Sequence, residues 1–191
     1  MRKLFMPFLV GAIALAFLPA PTARAAVELP FLATFRGATT TVEFAPGPPG
    51  SRSTFGDRCS VPSSWVISFA GWGRSTHLGA FTWTSSHCTQ AGATPFDPIT
   101  ITDGQLTFVA ANGDLLNEAY GNGVVSVVDP PTMCIDTVVV LDGGTGRFTH
   151  ASGSALERGC FSLLEPNLPA VSDLRITSSG TIAYDAHDRA G

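Results

Sequence analysis

The sequence predicts an all-β protein, and the expected architecture is a closed antiparallel β-barrel of eight to ten strands in meander order. Two observations support it: short β-branched, apolar runs recur along the chain, and turn signals drawn from its 20 glycines and 14 prolines separate them. Strands joined mainly to their sequence neighbours would leave two long unpaired edges in an open sheet, whereas closure removes both. A β-sandwich is the alternative.

The first 25 residues have the pattern of a secretory signal peptide. Positive charge at Arg2 precedes an apolar stretch from Leu4 to Leu18, and Ala23-Arg24-Ala25 is a small-x-small cleavage site. We therefore expect a signal peptide at 1–25 and a single β-barrel domain at 26–191. The protein should be secreted or periplasmic, without a membrane span in the mature chain, because no other apolar run approaches ~20 residues.

The charge of the mature chain bears on its partners. Once the signal peptide is removed, 8 basic residues remain against 15 acidic ones, and none of the basic residues is lysine. This balance provides neither a basic footprint for nucleic acid nor a polybasic membrane patch. Nucleic acid and membrane surfaces are not expected partners.

A long hairpin from residue 134 to 163 organises the second half of the chain. A β-branched run enters a glycine-rich corner, and an alternating run returns from it. Setting Cys134 opposite Cys160 places Asp142 opposite Ser152, so the register closes at the corner. We expect a disulfide across this hairpin, since exported cysteines oxidise.

A second hairpin is predicted between Trp65 and Ser86, with Gly73-Arg74 as a two-residue type II′ turn. Pairing Trp72 with Ser75 then also places Cys59 opposite Cys88. Sequence alone leaves three pairings open for four cysteines, and the register favours these two local ones. The four histidines are scattered and there is no Cys-x-x-Cys, so neither a metal site nor a cofactor is expected.

The remaining elements follow from turn signals. Asn112-Gly113 is the strongest short hairpin signal, and 45–64 is a proline- and glycine-rich loop, the best candidate for a lid. The expected strands cover 31–44 with a bulge at Gly37 or as two pieces, 99–102, 105–111, 115–120, 124–128 after a turn at 121–123, and 174–184 interrupted at Gly180.

The predicted register at 65–86 puts large aromatic residues and very small residues on one face. Together with Tyr120, that face supplies the candidate ligand-binding residues, which are Trp72, His77, Phe81, Trp83 and Tyr120. The alternative is that the aromatic rings fill the core and that His77 lies at a solvated strand end.

Glu118 and His77 are the candidate catalytic residues. Glu118 shares a face with Leu116 and Tyr120, and a carboxyl group on an apolar face has a raised pKa suited to proton transfer. The alternative is that this face meets solvent. Nucleophile motifs such as Gly-x-Ser-x-Gly and His-Glu-x-x-His are missing, which argues against a hydrolase.

Two further patterns concern the barrel end and its outer wall. In the glycine corner, Arg147 with His150 offers an anion site, or Arg147 caps the corner's carbonyls while Phe148 plugs the barrel. The runs 124–128 and 135–141 are apolar on both faces. A wall that is apolar outside implies cover, most simply by another copy of the chain, so a homo-oligomer is expected.

The segments Ser75-Thr76-His77-Leu78-Gly79, Ala111-Asn112-Gly113-Asp114 and 143–153 resemble small exported bacterial β-barrel proteins. The last segment, a glycine corner, also resembles the allene oxide cyclase and dirigent barrels of the calycin-like group. The resemblance implies an eight-stranded barrel, often trimeric, whose apolar lumen binds a molecule or steers a cyclisation. No residue matches a catalytic set of those enzymes, and the two expected disulfides depart from the intracellular members.

The sequence therefore leads to three hypotheses. The first is an exported barrel that binds a small apolar or aromatic molecule in its lumen. The second is an isomerase or cyclase that uses the same lumen, and the third is a secreted structural or interaction module with a filled core.

Overall fold

The computed structural model describes residues 27–92, 97–129, 131–165, 168–171 and 173–184, so the predicted signal peptide lies outside the described residues. None of the described segments is a helix with the length and hydropathy that a membrane crossing requires. The described strands are β1 (Leu29–Phe44), β2 (Trp65–Ser75), β3 (Gly79–Gln90), β4 (Ile99–Ala110), β5 (Leu115–Tyr120), β6 (Gly123–Asp129), β7 (Thr132–Gly144), β8 (Ser152–Glu165), β9 (Leu168–Val171) and β10 (Leu174–Ala183), with a 3-10 turn, η1, at Gly146–Phe148.

Eight of these strands close into an antiparallel barrel. The ring runs β1-β2-β3-β4-β5-β7-β8-β10, and β10 pairs back onto β1 along nine residue pairs. Most ring neighbours are also neighbours in sequence, which is the expected meander. The prediction of a closed β-barrel is confirmed, and two strands, β6 and β9, lie in addition to the ring.

β6 continues the line of β5 and does not fold back against it. Tyr120 of β5 pairs with Gly104 of β4, and Gly123 of β6 pairs with Ile101 of the same strand, in one continuous register. Asn122 between them adopts a φ of 58°. The predicted turn at 121–123 is therefore wrong: because β4 and β7 flank both pieces, the chain bulges here without reversing.

The hairpin of β7 and β8 forms as the sequence predicts. Cys134 pairs with Cys160 and Asp142 with Ser152. The two cysteines form a disulfide across the ladder with their Cα atoms 4.0 Å apart. At the far end η1 closes the corner, and Phe148 is fully buried there as the predicted plug.

The hairpin of β2 and β3 turns later than predicted. Ser75 pairs with Gly79, so residues 76–78 form the turn and Trp72 lies opposite Thr82. Ser75 Oγ accepts the backbone N–H of Leu78 at 2.9 Å, and Gly79 adopts a φ of 69°. These features make the turn at 76–78, whereas the prediction placed it at 73–74.

The disulfide between Cys59 and Cys88 also forms, with Cα atoms 5.8 Å apart, but the two cysteines do not pair across a ladder as predicted. Cys88 pairs with Val66 in the ladder, and Cys59 belongs to no strand. The predicted pairing was right and its register argument was wrong.

Residues 45–64 lie against the outside of the barrel. Cys59 and Cys88 form a small apolar cluster with Val66, and Phe55 packs against it. Val66 alternates with the inward-facing Ile67, so this cluster is on the outer face of β2 and β3. Because the disulfide holds the loop to that face, the loop does not form the predicted lid.

Three smaller expectations also differ from the structure. The irregularity of β1 lies between Thr39 and Thr41 instead of at Gly37, and β10 continues through Gly180 without a break. Residues 168–171, predicted to be loop, form β9 and pair with the end of β8. The segment after Tyr184 lies outside the described residues.

The barrel interior divides into two halves at the rings of Phe35 and Trp83. The closed half runs from these rings to the η1 corner and is filled by large buried side chains, which include Phe31, Phe108, Leu116, Phe148 and Ile182. The open half extends toward Trp65 and the starts of β4 and β7.

Candidate ligand-binding site

The open half contains a cavity with a volume of about 80 Å³ that is partly open to solvent. This volume is several times the roughly 10–15 Å³ that one water molecule needs. Its walls are mainly apolar, and the side chains that line it include Ile67, Ile101, Met133, Ile135, Phe161 and Ile176.

β9 lies at the mouth of this cavity. Val171 is buried and lines the cavity, and its backbone N–H donates to Thr39 Oγ1 at 3.0 Å. No residue of the 45–64 loop is among the described residues that line it. The short strand after β8 therefore covers the position that the sequence analysis gave to the loop.

Two glutamates lie inside the barrel at the level of the cavity floor. Glu157 of β8 is 5% exposed and lines the cavity, whereas Glu118 of β5 is 2% exposed and lies behind the lining. Glu118 shares its inward face with Leu116 and Tyr120, so the prediction of a carboxyl group on an apolar face is confirmed.

Burial raises the pKa of both carboxyl groups. The pKa of Glu118 is raised first by loss of solvent and then by the negative charge of Glu157. Burial raises the pKa of Glu157 to about 8. Two like charges in one dry site cannot both persist, so the pair holds protons near neutral pH.

His87 and Tyr120 form a second polar pair on the cavity wall. His87 Nδ1 and Tyr120 Oη lie 3.0 Å apart. Burial lowers the pKa of His87 to about 3, so the imidazole is neutral near pH 7. Burial also raises the pKa of the Tyr120 phenol above its ordinary value.

Several buried polar atoms at the floor lack a hydrogen-bond partner among the described residues. Thr137 lies directly opposite Glu157 on β7, and Ser178 lies opposite it on β10. The atoms without a partner include Thr137 Oγ1, Ser178 Oγ and Glu157 Oε1, while the carboxyl group of Glu118 interacts with that of Glu157. Unpaired buried polar groups destabilise a folded protein, so each one needs an explanation, and a functional role is one of them.

The predicted ligand-binding residues do not all meet at this cavity. Trp83 and Tyr120 line it. Phe81 is buried deeper and packs against Phe108 at a ring distance of 4.8 Å. Trp72 points outward and is 61% exposed, because pairing with Thr82 puts it on the face opposite to Trp83.

His77 lies at the closed end of the barrel. Its Nε2–H donates to the carbonyl oxygen of Pro30 at 2.9 Å, and its Nδ1 accepts from Tyr184 Oη at 3.0 Å. Both ring nitrogens are thus engaged by the protein. His77 and Glu118, the two predicted catalytic residues, are not brought together.

The space beside the small residues of β1 and β2 is filled by the protein itself. A β-carbon at Gly37 or Gly71 would overlap the indole ring of Trp83, and one at Gly73 would overlap Phe81. These glycines allow the aromatic rings to lie flat on the barrel wall. The mixture of small and aromatic residues therefore builds the floor of the cavity and does not itself hold a guest.

The glycine corner provides no open anion site around Arg147. Its Nε lies 3.5 Å from Asp114 Oδ2, and its guanidinium covers the ring of Phe148 at 4.8 Å. Arg147 thus pairs with a carboxylate. The two roles predicted for it were an anion site with His150 and a cap for the corner's carbonyls.

Glu157 and His87 were not predicted from the sequence. Glu157 could have been found, because the correct register of β7 and β8 puts residues 155, 157, 159 and 161 on the face opposite to Cys160. Ala155 and Phe161 identify that face as the interior one. His87 was missed because the predicted strand ended at Ser86, although alternation from Phe81 and Trp83 puts residue 87 on the same face.

No family model and no curated protein matches the chain. The site must therefore be interpreted from its own chemistry: an apolar cavity, partly open at one end of a closed barrel, with two buried acids and unpaired hydroxyl groups at its floor.

Proposed function

We propose that the protein is exported and binds a small apolar or aromatic molecule in the open half of its barrel. The observation that carries this proposal is unfilled apolar space in a core whose other half is packed with large side chains. Protein interiors are close-packed, so a partly open apolar cavity with a few convergent polar groups is the best candidate for a ligand site.

The cavity limits the size of the ligand. A volume of about 80 Å³ is smaller than the ~150 Å³ of a closed cavity that holds benzene, so it suits a ring or chain end that protrudes at the mouth. The apolar lining supports the binding of hydrocarbon, and the polar floor supports one polar substituent.

Export is supported by the two disulfides. Disulfides persist in oxidising compartments and are rare in the cytosol, so the cysteine pairs agree with the predicted signal peptide. We propose a secreted or periplasmic location on these grounds.

An isomerase or cyclase acting in the same cavity is the second candidate. Glu157 supports it, because a cavity-lining carboxyl group with a raised pKa can exchange a proton with a bound molecule near neutral pH. The resemblance of the glycine corner to allene oxide cyclase and dirigent barrels implies the same class of reaction.

A homo-oligomer remains a proposal as well. Val138 and Val140 point outward from β7 and are 61% and 53% exposed, and Val124 on the neighbouring β6 is 41% exposed. An exposed apolar face of this kind is typical of a contact surface.

Two matched variants test the binding proposal. Val125→Phe adds a ring to a residue that lines the cavity, whereas Val124→Phe adds the same atoms outside the barrel. Binding of toluene is measured by ligand-observed NMR and by native mass spectrometry. We expect binding by the unmodified protein and by Val124→Phe, and its loss in Val125→Phe.

Failure of the unmodified protein to bind toluene would favour the filled structural module, and equal binding by both variants would mean that toluene binds outside this cavity. Glu157→Gln then separates the two ligand-based functions. If turnover of a candidate substrate falls more than its binding, the enzyme is favoured; if only binding changes, the binding protein is favoured.

A further inference from the structure

The floor of the cavity presents hydrogen-bond acceptors that the protein leaves unused. Among the described residues, no partner reaches Glu157 Oε1 or Thr137 Oγ1, whereas the carboxyl group of Glu118 interacts with that of Glu157. Glu157 is only 5% exposed, and it lines the cavity together with Thr137. A ligand group placed there would meet oxygen atoms from adjacent strands.

Among the described residues, this floor contains no positively charged side chain that could pair with an ionised glutamate. The buried charged and polar side chains of the described residues include Glu118, Glu157 and His87 but no arginine. The mature chain has no lysine. Burial keeps His87 neutral at pH 7, so it does not supply the missing charge.

An ammonium group matches this arrangement in both charge and donor number. It carries three hydrogen-bond donors and no acceptor. Its bonds to carboxylates are charge-assisted and roughly twice as strong as bonds between neutral groups. A hydroxyl group offers one donor and no charge, so it cannot form an ion pair with an ionised glutamate.

We propose, resting on the binding function above, that the ligand is a small apolar amine whose ammonium group binds Glu157, with Thr137 beside it and Glu118 behind it. Its hydrocarbon part occupies the space lined by Ile101, Met133 and Ile135.

Binding of such an amine releases one proton from the protein to water. The free amine enters as its ammonium form and keeps its proton, while the buried acid pair gives up one proton to water. The charged carboxylate and the ammonium then form an ion pair in the cavity. The groups that titrate next to this pair are Tyr120, whose phenol feels the charge of both glutamates, and His87, which contacts Tyr120.

Benzylamine, benzyl alcohol and toluene test the proposal, because they share one ring and differ in the polar group. Their affinities at pH 7 are measured by titration calorimetry for the unmodified protein, for Glu157→Gln and for Glu28→Gln. Glu28 is exposed, so the last variant removes a carboxyl group far from the cavity. Calorimetry in two buffers of different ionisation enthalpy reports the proton released.

We expect benzylamine to bind about tenfold or more tightly than benzyl alcohol, with release of about one proton, as charge-assisted bonding and proton linkage require. Glu157→Gln should remove this preference and the proton release while keeping toluene binding, and Glu28→Gln should change neither.

Equal affinities for the amine and the alcohol, or an amine preference that survives in Glu157→Gln, would overturn the amine proposal while the binding function stands. Absence of binding by all three compounds would overturn the binding function itself. Retained toluene binding by Glu157→Gln shows that the variant is folded.

Discussion

The two halves of the barrel interior are built in different ways. The closed half is held by contacts between aromatic rings: Phe35, Phe81 and Phe108 meet edge to face at ring distances of 4.8–6.2 Å. The open half contains a cavity, two buried acids and several unpaired hydroxyl groups. Packing alone therefore stabilises the first half more than the second.

Both disulfides brace the open half from outside. Cys88 lies near the end of β3 and Cys134 near the start of β7, and both strand ends belong to the half with the cavity. Covalent links add stability without filling space. A hollow region can thus keep its shape while remaining accessible to a ligand.

The largest expected effect contrasts one phenylalanine from each half. Phe108→Ala should destabilise the protein by about 3–5 kcal/mol, because it opens a cavity among close-packed rings. Phe161→Ala should lower the free energy of unfolding by only about 1–2 kcal/mol, since Phe161 is partly buried and already borders empty space. Urea unfolding measures both values, and equal losses would mean that the halves do not differ in packing.

Removal of a disulfide should have the next largest effect. The double variant Cys134→Ser/Cys160→Ser removes a link between residues that are 26 apart in sequence. Chain entropy then predicts that the free energy of unfolding falls by about 3–4 kcal/mol. Because this link braces the open half, toluene binding should weaken as well. Unchanged toluene affinity at a temperature where the variant is folded would argue against a bracing role.

The acid pair should make stability depend on pH. The folded protein holds protons on Glu118 and Glu157 above the ordinary pKa of 4.5, up to about 8 for Glu157, whereas the unfolded chain releases them. Stability should therefore fall as the pH rises from about 5 to 8, by up to about 1.4 kcal/mol per pH unit for each carboxyl group.

His87 acts in the opposite direction. The folded imidazole stays neutral down to about pH 3, whereas the unfolded one is protonated below its ordinary value of 6.5, so this contribution is lost as the pH falls. Unfolding free energies at several pH values test both contributions. Glu157→Gln should flatten the decline between pH 5 and 8, and an unchanged decline would mean that Glu157 is not its source.

The smallest effect on stability is expected on the outer wall. Val138→Ser and Val140→Ser alter exposed side chains, so each should change the stability of a single chain by about 0.5 kcal/mol or less. If copies of the chain meet at this face, the double variant should shift the molar mass measured by light scattering toward that of one chain. A monomeric mass for the unmodified protein would remove the oligomer proposal.

The sequence predicted the barrel and the β7–β8 hairpin because several constraints agreed there. Two cysteines, an alternating run and a glycine corner all required the same register. In the β2–β3 hairpin, Gly73 was taken for a turn, although its function is to admit the ring of Phe81. A glycine in a strand-like run has either meaning, and only the partner across the barrel decides between them.

The site was only partly predictable for the same reason. Glu118 was recognised as a carboxyl group on an apolar face from its own strand. Its pairing with Glu157 was not predictable in this way, because the two residues lie on strands that are far apart in sequence. Their inward faces meet only when the barrel closes. Trp72 was misplaced by the register error, since a shift of odd size moves a side chain to the other face.

Methyl NMR during a benzylamine titration tests the division of the interior most directly. The methyl signals of Ile101, Met133 and Ile135 should shift, whereas those of Leu116 and Ile182 in the closed half should stay within the measurement error. Equal shifts in both halves, or no shift at Ile101 and Met133 under saturating ligand, would contradict a ligand cavity confined to the open half.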